Sequence, residues 1–582
     1  MELRRPIASA LTRLVLALAA AVVLVLALAP GRAQAAPKLV VPASQTKAPV
    51  GFRMTAQQVR RVANRATKVR SERPKHRRFH PNAYTRGPGQ WQVSYFDGKD
   101  EVAQVRVDDA TGAILEQWTG SQVAWTMARG YEGAFGRKIN SPWVWIPLSL
   151  LFLAPFFDPR RPFRLLHLDL LVLLAFSASH VFFNRGDIGV SVPLVYPVLG
   201  YLLVRLLLAG FRPLRTRLEQ RRRDRGRLIP LVPLTWLVVA LAALVGFRVV
   251  LNVTDSNVID VGYASVLGAD RIADGHALYG PGFSKDVERG DTYGPVSYLS
   301  YVPFEQALPW SGAWDDLPAA HGAALAFDLL TLAGLMLLGR RLRPGRAGRE
   351  LGIALGFAWA AYPYTLFALE TNSNDSLVAL VTVAAMLSLT MDPVRDGGAA
   401  ATRGVIVALG AAAKFTPLAL APLLAAGTGE VKGRWRSWLV FAIALLAALA
   451  LAFVPFLPHG GVRELYDRTV GYQVSRPSPF SLWGQVDSLH WLQTAVKVAA
   501  AGLALLVAFV PRRRDAVQVA ALGAAVVIAV QLTMTHWFYL YVVWFAPFAL
   551  VAVMAPWRTG SDREEPPTSD HATVAPPPAV PA

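Results

Sequence analysis

One lysine stands inside an otherwise apolar stretch, Gly404 to Leu424, and Pro417 follows it three residues later. A charge at membrane depth is costly and is kept where it faces a cavity or a partner. Pro417 lacks a backbone N–H and breaks the helix just past the charge, so Lys414 is expected between two half-helices. Broken helices that carry a cation build anion sites in membranes; a lysine snorkelling to an interface is the plainer reading. Carboxylates gather elsewhere. Asp255 and Asp260 follow an apolar run directly, in Asn252-Val-Thr-Asp-Ser-Asn-Val-Ile-Asp-Val-Gly-Tyr263. A carboxylate there can take the proton of an acceptor hydroxyl, while Asp255 and Asn257 also suit a helix cap. Asn372, Asn374 and Asp375 join two apolar runs, and amides and carboxylates in that number suit hydrogen bonds to a sugar as well as capping. His536 lies in Thr535-His-Trp-Phe-Tyr-Leu-Tyr541, whose rings would also serve as an interfacial belt. Arg476, in the loop from Pro458 to His490, is a ligand for a phosphate or a surface residue.

These residues need a membrane scaffold to bring them together. Hydrophobic residues fill 53% of 582 positions and charged residues 17%, with apolar runs of spanning length recurring along the chain. The class is an all-α polytopic membrane protein. Spans are expected near 142–158, 165–183, 191–210, 229–251, 319–339, 351–369, 376–391, 437–456, 491–511, 515–534 and 538–556. The Lys414 half-helices lie between the seventh and eighth, giving about 11–13 membrane helices in all. Tyr293 to Trp310 reads as a half-helix or interfacial helix. Phe211 to Leu228 carries eight arginines and Arg340 to Arg349 five, marking cytoplasmic loops. Asn252 to Gly294, with seven acidic residues against three basic ones, is expected outside. The net charge of +20 therefore describes topology and implies no nucleic-acid partner. With no cysteine, disulfides and thiolate chemistry are excluded. Motifs for a metalloprotease, a serine hydrolase or an ATP-driven pump do not occur.

The first 36 residues read as a signal peptide or anchor: Arg4 and Arg5, an apolar core, then Ala33-Gln34-Ala35. Residues 37–140 are expected to form a small α+β extracytoplasmic domain with a basic tether. Met54 to Thr67 has helical spacing, Trp91–Phe96 and Val102–Val107 alternate as strands, Asp108 to Gly112 turns, and a further strand resumes. The ending Val105-x-Val-Asp-x-x-Thr-Gly-x-Ile-Leu115 resembles a PepSY-like domain over about 65 residues, implying a binding or regulatory module. Residues 141–228 would be accessory membrane helices with the arginine-rich loop, 229–557 the main membrane domain, and the proline-rich 558–582 a disordered cytoplasmic tail.

Over roughly 229–556 the order of elements resembles glycosyltransferase family 87. The elements are Asp260-x-x-Tyr263, Asp274-Gly-x-x-x-Tyr279, Tyr293-Gly-Pro295, Asn374-Asp-x-Leu377 and Ala413-Lys-Phe-Thr-Pro-Leu418. Tyr293-Gly-Pro and Ser373-Asn replace the commoner Tyr-Pro-Pro and Gly-Gln, which points to a divergent subfamily. The resemblance implies a type C enzyme of the plasma membrane that uses a polyprenyl-phosphate sugar and an extracytoplasmic lipid-glycan acceptor. It implies no nucleotide at the site, no metal and no cofactor. Asp260 would be the general base, with Asp255 its rival. Lys414 and Arg476 would meet the donor phosphate, and Tyr263, Tyr293, Asn372, Asn374, Asp375 and His536 the sugar or acceptor. Mannose is the first expectation for the sugar. A transporter or flippase for an anionic or lipid-linked substrate, and an envelope sensor or scaffold, are the competing readings.

Overall fold

The computed structural model describes residues 39–130, 137–211, 226–284, 287–312, 317–391, 396–430 and 435–560. The expected signal segment, most of the arginine-rich loop and most of the C-terminal tail lie outside them.

A five-stranded antiparallel sheet opens the chain, in the order β1 (Leu39–Val40), β2 (Phe79–Arg86), β3 (Gln90–Asp97), β4 (Asp100–Asp108) and β5 (Ile114–Thr119). Helices α1 (Ala56–Ala63) and α2 (Thr67–Glu72) cover one face, burying Val59, Ala63 and Val69 against Trp91, Val93, Tyr95, Val105 and Val107. Thr55 and Gln58 cap α1 reciprocally. The second aspartate of the Asp108-Asp109 turn fixes the helix entry: its carboxylate accepts the Arg53 and Met54 N–H groups at 2.6 and 2.9 Å and Trp91 Nε1–H at 2.8 Å. The helix-then-strands order matches the expectation, and β2 is an addition. Its sequence, Phe-His-Pro-Asn-Ala-Tyr-Thr-Arg, lacks a clean apolar alternation, and pairing with β3 rather than its own pattern makes it a strand.

The rest is helical. Seven helices among the described residues are long and apolar enough to cross a membrane, including α3 (Leu165–Asn184), α4 (Ile188–Gly210), α5 (Leu234–Asp255) and α6 (Pro318–Leu342). The pair α7 (Gly345–Ala361) and α8 (Pro363–Glu370), bent by 57°, makes an eighth. Pro363 lacks the N–H that would continue the helix. The spans expected near 376–391 and 538–556 are the shorter helices α9 (Asp375–Ser388) and α10 (Val542–Met554). Fourteen residues rise only about 21 Å, less than the hydrocarbon core of about 30 Å. Both are almost wholly buried among other helices. Tyr293 to Trp310 contains two short helices, Pro295–Leu299 and Val302–Ala307, as its polarity implied.

Buried ion pairs set the relative placement of the spans. Asp169 of α3 takes three bonds from Arg205 of α4 at 2.9–3.1 Å and one from Tyr201 at 2.9 Å. Arg248 of α5 grips Asp328 of α6 through two N–H groups, and Trp359 of α7 donates to the same carboxylate at 2.9 Å. In an apolar surround neither partner tolerates loss of the other. At one end of the bundle Arg164, Arg343, Arg513 and Arg514 knit the chain together, bonding near Arg227, Ala555, Glu430 and Val507. The sheet domain and the polar junctions lie at the other end.

Candidate functional site

Lys414 is where its sequence placed it, at a break. Helix α11 (Asp396–Ala413) ends one residue before it, and a 3₁₀ turn, Thr416–Leu420, with Pro417 in its first turn leads into the short helix Ala421–Ala426. The lysine is 6% exposed, and its ammonium donates to Asp375 Oδ1 at 2.5 Å. The rings of Trp544, Tyr293 and Tyr541 stand 5.2, 5.3 and 5.9 Å from Nζ, a cation cage. Asp375 opens α9, where a carboxylate meets the positive end of the helix dipole. It also accepts Trp544 Nε1–H and Ser373 Oγ–H at 2.8 Å each. Lys414 is therefore paired with a carboxylate instead of snorkelling to an interface.

This pair lies in the wall of a cavity of about 690 Å³. Asp260, Tyr293, Arg476 and His536 line the same cavity. Asp260 is the first residue of the helix Asp260–Ala273, and its carboxylate accepts the Val261 N–H at 2.9 Å. The side chain is exposed to the cavity, whose wall it forms in part. Burial pushes its pKa up from the ordinary carboxylate value, and Arg476 opposes that shift. His536 bonds through Nδ1 with Ser478 Oγ at 2.9 Å. Burial, and then the charges of Arg476 and Lys414, push its pKa down to about 3, which keeps it neutral. The guanidinium of Arg476 lies 4.6 Å over the ring of Trp125.

The other expected site residues are placed around the cavity and not in its wall. Asp255 is the last residue of α5, with Lys138 Nζ 3.4 Å away, and it caps nothing: the residue before the 260–273 helix is Ile259. Tyr263 is buried one turn beyond Asp260, its ring 6.2 Å from that of Trp310. Asn372, at a φ of 49°, donates to Ser256 Oγ and the Asn257 carbonyl and accepts from Asn252 Nδ2 at 2.9 Å. With the Asn257 and Ile259 N–H groups bonded to Glu370 and Thr371, it fixes the approach to Asp260. Gly262 is required there, because a Cβ would stand 2.2 Å from the Asn372 carbonyl oxygen. Asn374 donates to Ser297 Oγ at 3.0 Å, and Ser297 donates to the Ala413 carbonyl at 3.0 Å, beside Lys414. The Tyr293 turn is held from below: Tyr279 Oη donates to the Tyr293 carbonyl, and Asp291 bonds the Gly280 N–H and Arg468.

The aromatic segment is no interfacial belt. Trp537, Phe538 and Tyr539 are buried, and Tyr539 Oη bonds Ser179 and Ser191 of the accessory helices at 2.6 and 2.8 Å. Trp544, Lys497, Gln473 and Trp125 are among the cavity residues not singled out from sequence. Two carried a signal. Lys497 is a charge within an apolar run, and Trp544 follows Tyr541 at helical spacing. Gln473 and Trp125 carried none, since tertiary packing alone brings them in.

Residues 292–535 match the family model of glycosyltransferase family 87. The matched segment contains Tyr293, Asp375, Lys414 and Arg476; Asp260 and Trp125 precede it. No curated protein matches the chain. The match covers about two fifths of the chain and falls within its helical part, which is similar there to that family of glycosyltransferases and whose apolar helices fit a multi-pass membrane protein.

Proposed function

We propose that this chain is a membrane glycosyltransferase of family 87 that transfers a sugar from a polyprenyl-phosphate donor to a hydroxyl of an extracytoplasmic lipid or glycan acceptor, with inversion. The observation that carries the reading is the joint placement of Asp260, Lys414 and Arg476 in one cavity wall. Asp375 is occupied by three donors, whereas Asp260 accepts one backbone N–H and faces open space. That makes Asp260 the base. The acceptor oxygen attacks the anomeric carbon as its proton passes to the Asp260 carboxylate. The bond from the anomeric carbon to the phosphate oxygen breaks, and its electron pair leaves with polyprenyl phosphate. Lys414 and Arg476 offset the charge gathering on that oxygen, preorganised so that nothing must reorient during the step. An ammonium has three donors, so Lys414 can hold Asp375 and still bond a phosphate. Tyr293, Tyr541 and Trp544 offer ring faces to the sugar, and mannose is the first sugar to try.

The test uses the full-length protein in nanodiscs with radiolabelled polyprenyl-phosphate mannose and a lipid-glycan acceptor fraction. The expected products are labelled glycan and free polyprenyl phosphate, both lost with Asp260→Asn. Donors carrying arabinose or another hexose follow if mannose is refused. A different result would establish the transporter reading: no transfer with any donor, and passage of the intact labelled lipid between leaflets of reconstituted vesicles.

A further inference from the structure

The cavity rim contains residues from the N-terminal region, far outside the family match. Ala124, Trp125, Thr126 and Met127 all line it. They belong to a strap that leaves the last strand of the sheet domain and crosses to the membrane helices. The strap is fixed at both ends. Gln122 Nε2 donates to the Ala128 and Gly186 carbonyls at 2.9 and 3.0 Å, and Arg129 donates to the Gln122 and Val123 carbonyls at 2.8 and 3.1 Å. Gly130 is pressed onto the 185–186 backbone so closely that a Cβ would stand 2.0 Å from the Gly186 nitrogen. Toward the sheet, Lys68 bonds the Gln117 and Gln122 side chains, and Arg129 lies over the Trp118 ring.

Trp125 stands at the centre of this strap. Its ring meets Arg476 at 4.6 Å, the edge of Phe480 at 5.5 Å and His536 at 5.5 Å. The cavity is graded along its length. Lys414, Asp375 and Trp544 are buried at one end, Trp125 is half-buried, and Ala124 and Thr126 are exposed at the rim. Lys414 thus lies inward, while Arg476 lies between it and the strap, against the Trp125 ring at the rim.

We infer that Trp125 is the platform of the acceptor subsite, a rigid indole against which the C–H face of the acceptor's sugar ring packs. This rests on the transferase reading for the identity of the second substrate, but a sugar ring at Trp125 is observable without transfer. An indole offers a large, rigid apolar surface at little entropic cost, and the neighbouring Arg476, Gln473 and His536 supply polar groups for ring hydroxyls. The sheet domain then has a defined task, since it carries the strap that decides which glycan is admitted. The donor's own sugar offers the same chemistry, so the experiment separates the two sources.

Methyl glycosides of mannose, glucose and arabinose serve as probes, with binding to the full-length protein in nanodiscs read by saturation-transfer NMR. The expected result is transfer to the ring C–H protons of at least one glycoside, weakened by roughly tenfold or more in Trp125→Ala and largely restored in Trp125→Tyr. Affinity for a polyprenyl-phosphate sugar, measured in parallel, should stay within about twofold. Equal glycoside binding by wild type and Trp125→Ala overturns the proposal. So does lost donor affinity with glycoside binding intact, which would mean that the ring orients Arg476 for the donor. Should Trp125→Ala fail to fold, Thr126→Trp blocks the rim instead, and undiminished glycoside binding in that variant overturns it equally. Glycoside binding lost on mutation in a protein that transfers no sugar would retain the subsite and remove the transferase reading.

Discussion

Asp260 and Asp375 share one cavity but not one job, because their hydrogen bonds differ. Asp375 accepts from Lys414, Trp544 and Ser373, which leaves it little capacity for an incoming proton. Asp260 has that capacity, and Asp260→Asn, which keeps size but not basicity, should lower transfer by about 100-fold or more with folding unchanged. The base acts unprotonated and burial raises its pKa, so wild-type transfer should rise with pH through a midpoint above the usual carboxylate value. A transfer rate that is flat across the acid range would remove Asp260 from the role. Lys414→Met should behave differently from a simple charge deletion. It strands Asp375 in an apolar surround, so stability should fall by about 3–5 kcal/mol. Adding Asp375→Asn should restore melting temperature but not transfer, which separates the structural from the chemical work of the lysine. Lys414 was legible in the sequence because a charge among alanines has few uses. Its partner was not, since Asp375 lies 39 positions earlier in the chain and that stretch says nothing of contact.

The elements show where sequence patterns stop being informative. Long apolar spans and the break at Pro417 follow from composition and proline chemistry alone. The short helices α9 and α10 looked like spans because apolar runs buried in protein and runs facing lipid have the same composition. The polar junctions looked like substrate ligands, yet Asn372 and Asn374 spend their amides on Ser256, Asn257 and Ser297. They position the site without entering it, a distinction that only the packing of non-adjacent turns can make. Gly294 tests such positioning. A Cβ there would lie 2.1 Å from the Ala412 carbonyl oxygen, against backbone that cannot yield. Gly294→Ala should therefore shift the Tyr293 turn away from Lys414 and reduce transfer by at least about tenfold, given the cost of ångström-sized misplacement. Gly246→Ala on α5, where a Cβ meets nothing within 4 Å, should leave transfer as it was. If both variants are equally active, the turn does not depend on that close approach.

For the molecule as a whole, the two ends of the bundle differ in chemistry, and this fixes a testable orientation. Loops ending in arginine clusters gather at one end: Arg343 bonds the Ala555 and Trp557 carbonyls, and the 429–430 strand pairs with 513–514. The cavity, the sheet domain and the acidic 252–294 loop occupy the other end. Positive loops are retained in the cytoplasm, so the cavity should open outward, where the acceptor is proposed to be. Asn372 is fully buried and useless as a reporter, but His276 and Arg346 are exposed at opposite ends. Since the chain has no cysteine, one introduced thiol reports alone. His276→Cys should react with an impermeant maleimide on intact cells, and Arg346→Cys should react only after the membrane is opened. The reverse pattern would turn Asp260 and Trp125 toward the cytoplasm, where an extracytoplasmic acceptor never arrives, and the proposed reaction would have to be abandoned even if every residue in the cavity proved essential.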